Sequence, residues 1–377
     1  MIRVAVVIDS LKVGGAQRLI AAYASSAAAH GLDPVIITLR DGGAPFILES
    51  IRAAGVRVVP LPSPSLFNLQ RWQKLVELLK EENVDLVQTH LIYSNILATL
   101  AAQRAGLPVI ATLHSTSVRG GWKSKILKWM ENYCLRSHAT RILAVGRVVA
   151  DFNKGNYGKR TIDVIPNGIP RPDLPGNLEK ERLRREITGE TSGSLIITVG
   201  RFSRAKGYED MIEAFNLLSQ SAQKPKLLMV GAGSHVETIR EQIEDLKLNQ
   251  SVILAGERDD VHNLLALSDV YASSSHREGL PLAVLEAMMV GLPVVATSVG
   301  DIPNVVTEET GVVVPPHRPE LLAAALEDLL KNPEKRQAMG KAAHRRAMDE
   351  YSVDAWMRRH LDLYRDVLAS RQEKHTA

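Results

Sequence analysis

The chain is poor in cysteine. Cys134 is the only one in 377 residues, which excludes an internal disulfide framework. Such a residue is most simply a small buried group in a reducing compartment. No uncharged apolar run reaches the roughly 18 residues that a membrane span needs. The opening stretch, Met1 to Asp9, lacks the long apolar run and the small-residue cleavage site of a signal peptide. It reads as a buried first strand. Repeats and low-complexity segments are absent. So is any Asp-x-Asp pair, and no His/Cys cluster has zinc spacing. The expectation is a cytosolic protein with no cofactor, no metal and no nucleic-acid partner.

Apolar residues make up 45% and charged residues 23%, the balance of a soluble globular protein. The length exceeds one ordinary core and fits two domains. Net charge is only +4, but it is unevenly placed. Residues 1–175 hold 21 Lys/Arg against 12 Asp/Glu, or +9; the remainder holds 25 against 30, or −5. One half therefore suits an anionic partner.

Strand and helix signals alternate. Strands are predicted at 2–8, 34–39, 56–60, 85–89, 108–113, 140–145 and 161–165. They recur at 194–199, 226–230, 251–255, 269–273, 293–297 and 312–314. Many are continuous Val/Ile/Leu runs, as in a parallel sheet covered on both faces. Predicted helices 16–29, 68–82, 94–105 and 123–137 lie between strands of the first half. Helices 207–219, 234–246, 281–290 and 318–331 do so in the second, and 333–347 and 351–369 close the chain. Right-handed crossovers make each half a doubly wound α/β domain. Residues 168–178, with Pro170, Pro172, Pro175 and Gly176, read as a linker.

The most informative segment runs from Ser275 to Met289. It places Glu278 just before a predicted helix and Glu286 two turns inside it. The neighbours of Glu286 at three and four places are Leu282, Ala283, Met289 and Val290, all apolar. A carboxylate there either snorkels to a wet edge or receives the hydroxyls of a polyol such as ribose. Upstream, the strand 194–199 runs into Gly200-Arg201-Phe202-Ser203-Arg204-Ala205-Lys206-Gly207. Cations on a strand-to-helix loop suit a diphosphate, though a solvated basic turn reads the same. Strand 226–230 ends in Gly231-Ala232-Gly233, but Val236 breaks the full dinucleotide fingerprint. Gly14-Gly15 follow the first strand, and His90 and His114 end two others.

These pieces, taken in order with Gln17-Arg18 and Val164-Ile165-Pro166-Asn167-Gly168-Ile169, resemble the retaining glycosyltransferases of family 4 along most of the chain. The resemblance implies two Rossmann-like domains facing a cleft, the GT-B plan. An acceptor-side domain at 1–168 would be rejoined by a C-terminal helix at about 353–377, packing through Trp356, Leu361 and Tyr364. Residues 169–352 would bind the nucleotide sugar, with UDP favoured and GDP second. Arg201 and Lys206 would neutralise the diphosphate. Glu286 would take the ribose and Glu278 the hydroxyls of the transferred sugar. Gly279, Leu280, Gly14 and Gly15 would line the donor. His114 would face the reacting sugar, and His90, Tyr93 and Asn95 would touch a saccharide or lipid-linked acceptor. The transfer would be metal-independent. Gly146 stands where the family commonly has Ser, and Asn304 where it commonly has Glu. A nucleotide-sugar epimerase and a catalytically silent sugar-nucleotide-binding protein are the competing readings.

The stretch 122–136 is basic and aromatic. Trp122, Ile126, Trp129, Met130 and Tyr133 recur at helical spacing, with Lys125, Lys128 and Arg136 on other faces. Such a helix either turns its apolar stripe to the core or lies on an anionic membrane surface, here the inner face of the plasma membrane.

Overall fold

The computed structural model describes residues 1–12, 14–63, 65, 68–114, 121–221 and 223–376. The chain forms two compact units, Met1–Pro170 with Val353–Ala377, and Arg171–Ser352. The division falls two residues beyond the one expected at 168.

In the first unit the elements follow one another as β1 (Ile2–Ile8), α1 (Gly15–Ala27), β2 (Leu32–Thr38), α2 (Pro45–Ala53), β3 (Arg57–Pro60), α3 (Leu69–Glu81), β4 (Leu86–His90), α4 (Ile92–Ala105), β5 (Val109–Leu113), α5 (Trp122–His138), β6 (Arg141–Ala144), α6 (Arg147–Asn153) and β7 (Asp163–Val164). The sheet order is β3-β2-β1-β4-β5-β6-β7, and every pair is parallel. The central strands are buried along their length because helices cover both faces, which is why they read as unbroken apolar runs.

The second unit runs α7 (Asn177–Thr188), β8 (Leu195–Val199), α8 (Tyr208–Ser219), β9 (Lys226–Val230), α9 (Val236–Asp245), β10 (Val252–Gly256), α10 (Val261–Ala266), β11 (Val270–Ser273), α11 (Leu282–Met289), β12 (Val294–Thr297), α12 (Ile302–Val305), β13 (Gly311–Val314), α13 (Pro319–Lys331) and α14 (Pro333–Arg346). Its sheet order, β10-β9-β8-β11-β12-β13, repeats that of the first without a counterpart of β7. Helices α2, α6, α7, α10 and α12 were not expected from the sequence. In particular, α7 begins at Asn177, inside the segment read as a linker.

After a π-turn at Ala347–Tyr351, α15 (Val353–Thr376) returns to the first unit. Trp356, Met357, Tyr364 and Val367 join the core of α1, β1 and β2. Tyr364 bonds the Tyr23 hydroxyl at 3.1 Å, and Trp356 meets the Tyr23 ring edge-on at 5.9 Å. Each such buried side chain contributes roughly 1.5–3 kcal/mol. Gly168 is required at the crossing, since a Cβ there would lie 2.8 Å from that of Trp356.

Candidate active site

Each sheet reverses its strand order next to its first strand, at β1/β4 and at β8/β11. The crevice beyond the carboxyl ends at such a point is where doubly wound sheets hold ligands.

In the second unit β8 delivers the loop Gly200–Gly207 and β11 delivers residues 274–281. Lys206 Nζ donates to Glu278 Oε1 at 2.6 Å, and Ser275 Oγ donates to the same oxygen at 2.7 Å. The two side chains are 26% and 12% exposed, so solvent weakens the pair less than a surface pair. The loops are stitched by backbone bonds: the amides of His276 and Arg277 both donate to the Ala205 carbonyl. Gly207 sits at φ 58°, and a Cβ there would lie 2.3 Å from the Ser274 carbonyl oxygen. Only glycine lets the loops close this tightly. Arg201 is exposed beside them. Gly279 and Leu280 are half-buried ahead of α11, and Glu286 is half-buried within it.

Gly231-Ala232-Gly233 has a packing role. The amide of Phe202 donates to the Ala232 carbonyl at 2.9 Å, and a Cβ on Gly233 would lie 2.1 Å from the Phe202 carbonyl oxygen. The glycines bring the β9 loop into backbone contact with the cationic loop.

In the first unit Gly14 caps α1 in an extended conformation and Gly15 begins the helix. His90 Nδ1 and His114 Nε2 share a hydrogen bond of 2.9 Å. Burial lowers both: His114 falls to about 4, and His90 falls well below its ordinary value with the neighbouring histidines adding to the effect. The dyad is therefore neutral at pH 7. Next to it Leu91 is held at φ 73°, ψ 162°, a region that costs a branched residue strain. That turn aims the start of α4 at Asp9, whose Oδ1 accepts from both the amide and the hydroxyl of Ser94 at 2.8 Å. Burial raises Asp9 despite those bonds. Tyr93 is half-buried with the Arg40 guanidinium 5.2 Å above its ring.

Asn95 departs from expectation. It was placed against an acceptor, yet it is 1% exposed and its side chain is committed inward. Thr89 Oγ1 donates to its oxygen and its nitrogen donates to Glu131 Oε1, each at 2.7 Å. Glu131 is buried and paired with Lys128 at 2.8 Å, and Lys128 also reaches Asn153 at 3.1 Å. Lys128 thus faces inward, not toward solvent as its helical spacing suggested, and Met130 is half-buried rather than part of the exposed stripe. The remaining aromatic stripe of α5 faces out: Trp122, Ile126, Trp129 and Tyr133 are 68%, 47%, 67% and 62% exposed.

Among groups the sequence did not single out, Ser275 fixes Glu278, and Ser94 fixes Asp9. The serines preceding Glu278 were visible as a run, but nothing in the spacing said which would turn inward. No helix among the described residues is long and apolar enough to cross a membrane.

Residues 13–171 match the sequence profile described as Glycosyltransferase Family 4, and residues 179–346 match that of Glycosyl transferases group 1. The N-acetyl-alpha-D-glucosaminyl L-malate synthase of Bacillus anthracis is 25% identical over 306 residues, 80% of each chain. The UDP-Gal:alpha-D-GlcNAc-diphosphoundecaprenol alpha-1,3-galactosyltransferase of Escherichia coli is 28% identical over 264 residues, 67% of this chain and 68% of its own. In fold, the chain is similar to Anabaena HepE solved in complex with UDP, with a TM-score of 0.84 at 20% identity over 97% of this chain and 100% of that one.

Proposed function

The chain belongs to the glycosyltransferases that join a family 4 domain to a group 1 domain in the GT-B fold, and we propose that it moves a hexose from a nucleotide sugar, with UDP first and GDP second, to a saccharide or lipid-linked saccharide. The observation that carries this reading is the Lys206–Glu278–Ser275 cluster at the β8/β11 switch point, with the exposed Arg201 beside it. A diphosphate needs positive charge held in place, and this loop holds it before any ligand arrives. Arg201 forks two phosphate oxygens while Lys206 adds a point charge. Glu278 keeps Lys206 in position and offers its second oxygen to a sugar hydroxyl. Glu286 receives the ribose hydroxyls. Gly279, Leu280 and the start of α11 line the diphosphate, and the missing side chains of Gly14 and Gly15 leave the first unit's backbone open there to a phosphate or sugar.

With retention of configuration, the acceptor hydroxyl enters on the face from which the diphosphate departs. A donor phosphate oxygen takes its proton. The neutral His114, oriented by His90, hydrogen-bonds the reacting sugar without repelling the positive charge that develops on its ring. Catalysis rests on orientation and on charge stabilisation, with no metal on the diphosphate.

The second part of the proposal concerns the acceptor. The stripe Trp122, Ile126, Trp129 and Tyr133 is exposed where a core face would be covered. Exposed Lys123, Lys125 and Arg136 flank it. Aromatics in the interface with cations around them suit the inner face of an anionic plasma membrane, where a lipid-linked acceptor sits.

The test is a thermal-shift screen of nucleotide sugars followed by transfer assays with the best donor. Donor-dependent glycosylation of a saccharide with retained anomeric configuration is expected. Conversion of the donor without an acceptor would replace this reading with epimerisation, and binding without turnover would replace it with a silent binding protein.

A further inference from the structure

We propose that Asp210, His276 and His317 form a site for one divalent transition-metal ion of the zinc type, separate from the transfer chemistry. Three elements converge there. Asp210 lies in the first turn of α8, His276 in the loop after β11, and His317 in the loop after β13. One ligand atom from each lies within 4.8 Å of the others. His276 Nε2 is 2.9 Å from Asp210 Oδ2, and His317 Nδ1 is 3.6 Å from the same oxygen. Zinc holds imidazole and carboxylate ligands at about 2.0–2.2 Å, so tetrahedral ligand atoms stand roughly 3.2–3.6 Å apart. The Asp210–His276 edge would lengthen by a few tenths of an ångström, the Asp210–His317 edge already fits, and the two imidazoles, within 4.8 Å of each other, would draw in to complete the triangle.

The surroundings suit such a site. Gly207 makes room for one ligand, because a Cβ there would lie 2.5 Å from His276 Nε2. His317 is held at φ 57°, unusual for a residue with a side chain, and its ring lies 3.9 Å from that of His276. The side chain of His317 is 66% exposed, which gives an ion a way in. Three protein ligands leave a fourth position for water. Two imidazoles and one carboxylate select zinc, cobalt, nickel or copper over magnesium and calcium. The spacing that marks a zinc site in a sequence is missing because these ligands come together only through the fold.

The ion would join the base of α8 to the loop that carries Glu278, so it would brace the site without touching the diphosphate. This inference does not depend on the proposed transfer activity, and its readout is binding. The full chain, stripped with a chelator, is titrated with Co²⁺ and Zn²⁺. One ion per chain is expected, with visible Co²⁺ absorption that Zn²⁺ abolishes and a melting temperature that rises by several degrees. His317→Ala alters an exposed loop residue and should fold normally, yet lower affinity at least tenfold. Asp210→Asn should do the same, while His235→Ala, which breaks a different carboxylate pair, should leave binding unchanged. No saturable uptake by the wild type, or equal uptake by folded His317→Ala, would reduce the cluster to ordinary hydrogen bonds and overturn the proposal.

Discussion

Among the described residues at the first switch point, the buried polar groups are mostly engaged with one another, and Arg40 lies over Tyr93 at the edge. His90 and His114 bond each other, Asp9 is capped by Ser94, and Asn95 leads inward to the buried Glu131–Lys128 pair. At the second, Lys206 and Glu278 form an ion pair, and Arg201 is exposed beside them. The strand order of the second sheet matches that of the first six strands of the first. Topology therefore decides where a ligand can sit, while the loop chemistry decides which ligand. A desolvated neutral dyad suits hydroxyls and a sugar ring; a cationic loop suits a diphosphate.

The hardest break is in the first unit. Glu131→Ala would strand the Lys128 ammonium and the Asn95 amide in the interior, at roughly 3–5 kcal/mol of stability. Urea unfolding measures it. A loss below about 1 kcal/mol would mean that water replaces the carboxylate and that the network is not structural.

Next comes the charged loop. Lys206→Ala, and separately Arg201→Ala, should lower turnover roughly 30- to 1000-fold, about 2–4 kcal/mol, with the fold intact. Glu286→Gln should weaken nucleotide affinity more than it lowers the melting temperature. Steady-state kinetics of either loop variant at wild-type values would remove the diphosphate from this loop.

Acid should separate the two units. Burial lowers His90, His114 and His360 in the first, against His262 in the second. His114 and His360 both fall to about 4 from an ordinary 6.5. Above 6.5 neither folded nor unfolded chain protonates them, and their stability contribution is complete. Between 6.5 and about 4 only the unfolded chain takes up these protons, so stability falls by up to about 1.4 kcal/mol per pH unit for each group. Below about 4 the loss levels off. Calorimetry from pH 7 to pH 5 should move the first unit's transition further than the second's, and His360→Leu should shrink that difference. Equal shifts of both transitions would refute the contrast.

A smaller effect belongs to α5. Each basic residue near an anionic surface gains about 1 kcal/mol. Changing Lys123 and Lys125 to Glu and Trp129 to Ser should lower flotation with anionic vesicles while a soluble acceptor analogue is still glycosylated. Lys128 is excluded from the variant because it pairs with Glu131. Equal flotation of both proteins, or of neither, would leave α5 a solvated face. The smallest expected effect is none: at a temperature where the metal-stripped chain stays folded, transfer should persist in excess EDTA, and its loss with recovery on Mg²⁺ but not on Zn²⁺ would place a metal on the diphosphate.

Strand positions were legible because buried parallel strands advertise themselves as Val/Ile runs, and all thirteen appear close to where the pattern puts them. Helix α7 was not, since its charged residues surround it and Thr188 is its only buried one, which leaves no periodic stripe. Helix α2 carries its signal, Pro45 at the first position, but is short. Lys206 and Glu278 were legible singly. Their contact spans 72 positions and exists only after two strands pair. Spacing drew most of the stripe on α5, but it could not say on which side the core lies, so Met130 and Lys128, which turn partly or wholly inward, were not told apart from the exposed residues.

The return of α15 also sets a timetable. The first unit's sheet is complete at Val164, yet the helix that covers Tyr23 starts at Val353. A ribosome adding ~5–20 residues per second needs roughly 10–40 s to make the intervening stretch. Through that interval the nascent sheet and α1 show an uncovered greasy face, while the whole second unit emerges and can fold. The sheet made before the second unit is thus covered only after it, and chaperones have their longest opportunity on the first unit.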